Sequence, residues 1–322
     1  MTFAAVDLPA CEPGFRPGQL GGQIHRWIAS EPMRALVTAY GKSMPDAGVA
    51  DLLAWLDGFS ADHWDFRRNG RVERDQVPAP AFDAEVAHLI VAAATALRLV
   101  EPAHPPYPDY DHVLVLGGLG RACLQRTQYA AALVLEGAVK VPEVAALGSF
   151  RPLSDAEKEL PGLGRSVFEV DAMNVGVRIG FSLAEPAERE ASEGSWEVRT
   201  YRRPGQPEIH VLAAPSSEPG IRRANTPDTY EFWAQRVHLR ATDRILVVTS
   251  PIYVPFQHCD AIRILGLKYG CGIDTIGFDP ERVSVPLGPD ATNPDRYLQE
   301  IRSGIRSMMN LHRATAEPAA VR

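Results

Sequence analysis

Residues 111 to 126 concentrate the groups most able to do chemistry. An apolar run, Val113–Leu116, breaks into Gly117-Gly118-Leu119-Gly120 and then into a helical pattern carrying Arg121 and Arg126. Glycines let backbone N–H groups approach a ligand, and the helix N-terminus that follows adds partial positive charge. The pattern therefore predicts an anion cradle for a phosphate, a carboxylate or a nucleoside edge. Arg121 and Arg126 could neutralise the anion, and either could equally stand as an ordinary helix-surface charge. A tight strand-to-helix turn with no ligand accounts for the same glycines. Gly118 and Gly120 match the start of a dinucleotide fingerprint, but its third glycine is replaced by Cys123, and no acidic residue clearly ends the next strand. That argues against an NAD site.

Three further segments follow apolar runs in the same way. Gly148-Ser149-Phe150-Arg151 leads into Ser154-Asp155-Ala156-Glu157. In an open α/β sheet the carboxyl ends of strands line the ligand crevice, so Ser149, Arg151, Ser154 and Asp155 are expected near the glycine loop. Ser154 with Glu157 also reads as a capping box. Thr226-Pro227 is a helix start, with the Thr226 hydroxyl as cap and the Asn225 amide just before it free for a ligand; turn and cap duty alone accounts for the segment as well. Thr249 and Ser250 end another run and offer hydroxyls, while Tyr253, Phe256 and Gln257 could wall a planar ring. His258 is a possible acid or base, or a structural histidine.

Glu169 and Asp171 form the candidate catalytic pair. Two carboxylates two residues apart project to one face of a strand, as general acid–base chemistry requires. Exposed strand charges are the plainer reading. No Gly-x-Ser-x-Gly elbow occurs, and the four cysteines, at 11, 123, 259 and 271, show no metal spacing, so no metal is expected.

These groups need elements to hold them. Residues 1–105 read as an irregular arm, to about residue 22, followed by a helical region. Residues 106–322 read as a Rossmann-like α/β domain, the boundary falling at the prolines of 102–108. Strands are predicted at Val113–Leu116, Glu143–Leu147, Ile245–Thr249 and Ile273–Gly277, with helices from Arg121 to Glu136, over 154–160, and from the loop after Thr249 to about Lys268. Phe168–Phe181, Trp196–Tyr201 and Glu208–Ala214 alternate like strands and predict a small antiparallel β insertion over about 165–215. An amphipathic C-terminal helix is expected over 295–312. The fold class is thus α/β: an open, mostly parallel sheet with a helical N-terminal region.

A chain of 322 residues with 45% hydrophobic content can bury a full core, and a net charge of -7 argues against a nucleic-acid binder. The longest apolar candidate, Val86–Val100, contains His88 and Arg98 and is too short to span a bilayer. With no signal-peptide pattern and thiols read as reduced, the expectation is a cytoplasmic protein away from membranes.

Taken in order, Gly117-Gly118 with Arg126, Gly148-Ser149 with Ser154-Asp155-Ala156, Asn225-Thr226, and Thr249-Ser250 resemble the motifs of the YdcF/SanA/ElyC-like family, domain of unknown function 218. The resemblance covers about residues 110–280. Aspartate replaces the glutamate of that family's Ser-Glu-Ala, and Ile252–Phe256 lacks the histidine and arginine of its Tyr-His-x-x-Arg. The resemblance implies a Rossmann-like sheet and a cleft for an anionic or nucleotide-type ligand, with S-adenosylmethionine or a nucleotide as cofactor. The functional expectation is a cytoplasmic enzyme binding a phosphorylated or nucleotide-like small molecule at strand carboxyl ends. The alternative is a non-catalytic sensor or scaffold whose helical region contacts a protein partner.

Overall fold

Runs of β-branched and aliphatic residues flanked by glycine and polar loops become strands buried on both faces, as a crossover-linked sheet requires. The computed structural model describes residues 2–66, 80–288 and 291–316. Its strands are β1 (His112–Leu116), β2 (Glu143–Gly148), β3 (Glu188–Ser192), β4 (Trp196–Tyr201), β5 (Glu208–Ala213), β6 (Arg244–Thr249) and β7 (Gly272–Gly277). They form one open sheet in the order β3-β4-β5-β2-β1-β6-β7. The five strands from β5 to β7 are parallel. The β3–β4 and β4–β5 pairings are antiparallel. Alternation then sorts side chains: Leu114, Leu116, Ile245 and Val247 enter one core layer, Val113, Val115, Leu246 and Val248 the other.

The first layer holds the N-terminal helices α1 (Leu20–Ile28), α2 (Glu31–Ala39), α3 (Val49–His63) and α4 (Ala84–Ala96). The second holds α5 (Gly120–Leu135), the short α6 (Asp155–Lys158) and α7 (Glu169–Gly180). Returning to the first layer, the chain forms α8 (Thr226–Val237) and α9 (Val254–Ala261), which runs through a π turn, Ile262–Gly266, into α10 (Leu267–Tyr269). The last helix, α11 (Pro294–Ala316), buries Leu298, Ile301, Ile305, Met308 and Leu311 on one stripe. It joins the N-terminal helices to the sheet. Its buried Arg302 donates to Asp57 O at 3.0 Å and to Ser60 Oγ at 2.9 Å on α3. The part of the helical N-terminal reading that spans 67–79 lies outside the described residues.

The segment Phe168–Phe181, expected as a strand, is helix α7. Val170, Met173 and Val177 are buried at helical spacing. Gly176 and Gly180 let the helix press on α5, where a Cβ at Gly180 would lie 2.9 Å from Ala131 Cβ. The segment 165–215 is therefore a crossover helix followed by an antiparallel edge, and β5 belongs to the parallel sheet through β2.

Candidate functional site

The chain runs from β1 outward through β2 to β5, then returns to β6 on the other side of β1. Helix α5 leaves β1 toward one face, and α9 leaves β6 toward the other, so the topological switch point, where open α/β sheets place their ligand crevice, lies at their carboxyl ends. Gly117 and Gly118 border it after β1; Ser250 and Tyr253 border it after β6. Arg126 rises from α5, only 2% exposed, and spans the gap. It donates to Leu116 O at 2.9 Å, to Gly117 O, and from Nε and Nη2 to Ser250 Oγ at 3.1 and 3.0 Å. The Tyr253 ring lies 5.6 Å from its Cζ, a cation–π distance.

Where the sequence predicts a ligand's anion, at the start of α5, the protein's own carboxylate sits. Gly120 N–H, the first of α5, donates to Glu157 Oε1 at 2.7 Å. Arg151 grips the same carboxylate with two bonds, at 2.8 and 3.0 Å, and also donates to Gly118 O at 2.9 Å. Burial would raise the pKa of Glu157; Arg151 and the N–H groups of Ser154 and Gly120 outweigh it and hold the group down at about 2. The expectation that Gly120 and Arg151 stand free for a ligand is corrected here. Ser154 completes the predicted capping box, its Oγ accepting from Glu157 N at 3.3 Å. Asp155 is exposed and pairs with Lys158, away from the crevice. Sequence reasoning assigned Glu157 to the cap alone; its bond to Gly120, 37 residues away in the chain, has no local signal.

Glu169 and Asp171 do not share a face, because they lie on a helix, roughly 200° apart around its axis. Asp171 accepts from Val167 N at 3.0 Å and Phe168 N at 2.9 Å, and ties α7 to Arg199 of β4 at 2.7 Å. Burial opposes its charge, yet Arg199 and these N–H groups lower its pKa. It is a committed structural carboxylate. Glu169 is different. Its carboxyl lies against Gly117, receives Ser149 Oγ at 2.8 Å and meets Arg151 Nε at 3.3 Å. Burial raises its pKa against the pull of Ser149 and Arg151, so it holds a proton more readily than a free glutamate. A buried carboxyl with a raised pKa beside a hydroxyl at a strand end has the chemistry of an acid–base group.

Asn225 spends its side chain on the cap of α8, accepting from Asp228 N at 3.2 Å, and Thr226 is the first residue of that helix. The cap is thus Asn225 and not Thr226, one residue earlier than the hydroxyl suggested, and cap duty occupies the amide that was expected to be free. His258 is fully enclosed: Nε2 meets Pro9 O at 2.7 Å and Nδ1 meets Thr275 Oγ1 at 3.0 Å. Burial lowers its pKa. It joins the N-terminal arm to β7 instead of serving the crevice. Thr249 is 0% exposed, and its Oγ1 has no hydrogen-bond partner. The same holds for the Tyr230 hydroxyl on α8, a group that sequence reasoning passed over because an aromatic on an apolar helix face reads as core.

The structure thus brings together Gly117, Gly118, Gly120, Arg126, Ser149, Arg151, Ser154, Glu169, Ser250 and Tyr253, and leaves Asp155, Asp171, Asn225 and Thr226 to other duties.

Residues 11–98 match the family model described as the Rv3785 N-terminal domain. Over 336 aligned residues the chain is 29% identical to uncharacterized protein Rv3785 of Mycobacterium tuberculosis, covering 93% of this chain and 92% of the relative. Uncharacterized protein Mb3814 of Mycobacterium bovis is similar to the same extent. No solved structure matches. These findings overturn the resemblance to the YdcF/SanA/ElyC-like family. The matching model lies in the helical region, outside residues 110–280, and the relatives aligned over nearly the whole length are the uncharacterized proteins Rv3785 and Mb3814. Short motifs at strand ends recur wherever a parallel sheet needs turns and caps, and they misled here.

Proposed function

We propose that the chain binds a small phosphorylated or nucleotide-like anion in the crevice between β1 and β6, with Glu169 and Ser149 as its acid–base pair. The position of Arg126 carries this reading: a buried guanidinium over the switch point, braced by Ser250 and faced by the Tyr253 ring. A nucleotide suits the site better than S-adenosylmethionine, whose sulfonium cation Arg126 repels. The four cysteines are free and buried, which supports a reducing, cytoplasmic setting. Among the described residues no helix is long and apolar enough to cross a membrane. The net charge of -7 disfavours nucleic acid as a partner.

One observation favours a second reading, a non-catalytic sensor. Glu157 and Arg151 satisfy each other and the α5 N-terminus, so half of the expected cradle is already closed.

Thermal-shift measurements with inorganic phosphate, AMP and S-adenosylmethionine test the proposal. AMP is expected to stabilise the protein. Ser250→Ala is expected to weaken AMP binding by about 1.5–3 kcal/mol, the size of a charge-assisted contact. Absence of stabilisation by any phosphate compound sinks the reading. Conversion of a phosphorylated substrate by the wild type but not by Glu169→Gln, with binding retained, identifies an enzyme. Binding without turnover identifies the sensor.

A further inference from the structure

Buried polar atoms almost always have partners, and a group of them without any calls for one. Tyr230 Oη, Thr249 Oγ1 and Gln257 Oε1 are buried and unpartnered. They come from three elements, α8, β6 and α9, that belong to the layer on the side of the sheet away from α5. Thr249 follows Ile245 and Val247 in the alternation of β6, so its hydroxyl faces the layer of α8 and α9. Tyr230, 0% exposed, projects from α8 into that same layer. Tyr253, Gln257 and Asp260 stand at i, i+4 and i+7 and form one stripe along the helix that leaves β6. One end of the stripe is Tyr253 against Arg126. The other is Asp260, fixed by Ser307 Oγ at 2.9 Å and Arg263 at 3.3 Å. The Tyr230 hydroxyl lies within the field of both: burial raises its pKa, Asp260 adds to the rise and Arg126 opposes it. The π turn that packs on α8 immediately follows this stripe, and such turns recur at functional sites.

We infer that the crevice continues inward from Arg126 between α8 and α9, and that Tyr230, Thr249 and Gln257 there bind the hydroxyls of a sugar ring. The anionic half of this ligand rests on the function proposed above; the sugar half rests on the three unpartnered atoms. Two hydroxyls that both donate and accept, beside an amide oxygen that only accepts, complement a vicinal diol. An apolar group leaves all three unmet. A second anion there faces Asp260. The ligand class is therefore a sugar phosphate or nucleoside phosphate, entered sugar-first with its phosphate at Arg126.

Calorimetric titration of the full chain with inorganic phosphate, D-ribose and D-ribose 5-phosphate tests this, using wild type, Tyr230→Phe and Thr249→Val. Both substitutions keep shape and remove an unmet hydroxyl, so neither is expected to lower the melting temperature; should one fail to fold, the other carries the test. The expected result is ribose 5-phosphate binding at least ten-fold tighter than phosphate, with that advantage lost in either variant while phosphate binding is unchanged. Equal affinities for the two, or variants that bind ribose 5-phosphate as the wild type does, overturn the inference. Ribose binding that is lost in Tyr230→Phe, without any phosphate binding, supports the sugar chamber and removes the anion reading. Absence of binding by all three removes both.

Discussion

Gly117 carries a constraint that follows from its neighbours rather than from its own conformation. A Cβ there would overlap Glu169 Oε1 and lie 2.5 Å from Leu147 O, a backbone atom that cannot step aside. Gly117→Ala is therefore expected to cost about 1–3 kcal/mol by overpacking and to lower the melting temperature by several degrees. Gly118→Ala, whose Cβ would lie 3.4 Å from its nearest neighbours, is expected to stay near the wild type in the same melts. Glu157 gives a pH signature. Its pKa is about 2 in the fold against 4.5 for a free glutamate, so its stabilisation is complete above about pH 4.5 and is lost as pH falls toward 2. Denaturant unfolding between pH 7 and pH 3 is expected to show stability falling with acid in the wild type and falling less in Glu157→Gln. At this scale the sequence was half legible. The glycines, Arg126 and Ser250 announced themselves by type and place, whereas the occupant of the cradle did not, since Ser154-x-x-Glu157 reads fully as a local cap.

Elements built from β-branched runs were the easiest to read: β1, β2, β6 and β7 lie where the sequence puts them, because strands buried on both faces have little other use for such runs. Helix α7 was misread because Glu169–Gly180 satisfies periods of both 2 and 3.6, and only its packing on α5 decides between them. The N-terminal arm offers a prediction here. It is held to β7 by the Ile273 N–H to Cys11 O bond at 2.7 Å and by His258 between Pro9 O and Thr275. The fold keeps His258 neutral by burial, with a pKa below its free value of 6.5. Its stabilisation is therefore present above pH 6.5 and is lost as pH falls through the lowered value. The protection of the Ile273 amide against hydrogen exchange, corrected for the intrinsic slowing of exchange in acid, is expected to fall between pH 7 and pH 5, and by more than that of the Val247 amide in the middle of the sheet. Equal responses at the two sites would remove the latch.

For the whole molecule, strand order does what no single motif can. An outward run from β1 to β5 and a return to β6 open one crevice, and Arg126 from α5, Ser250 after β6 and the carboxyl of Glu169 from α7 meet around it or on its border. The layer architecture was legible from alternating strand and helix patterns; kinship was not, because turn and cap residues at strand ends serve any parallel sheet. The N-terminal helices and α11 share one core with the sheet, so the ends of β1 and β6 are backed by a continuous packed layer. The central claim is that this crevice receives the ligand's anion. Its most direct test is a crystal structure of the protein grown with saturating AMP. Phosphate density is expected within hydrogen-bonding distance of Arg126 and Ser250, at the ends of β1 and β6. AMP absent from the ends of β1 and β6, or bound on another surface, would contradict the claim.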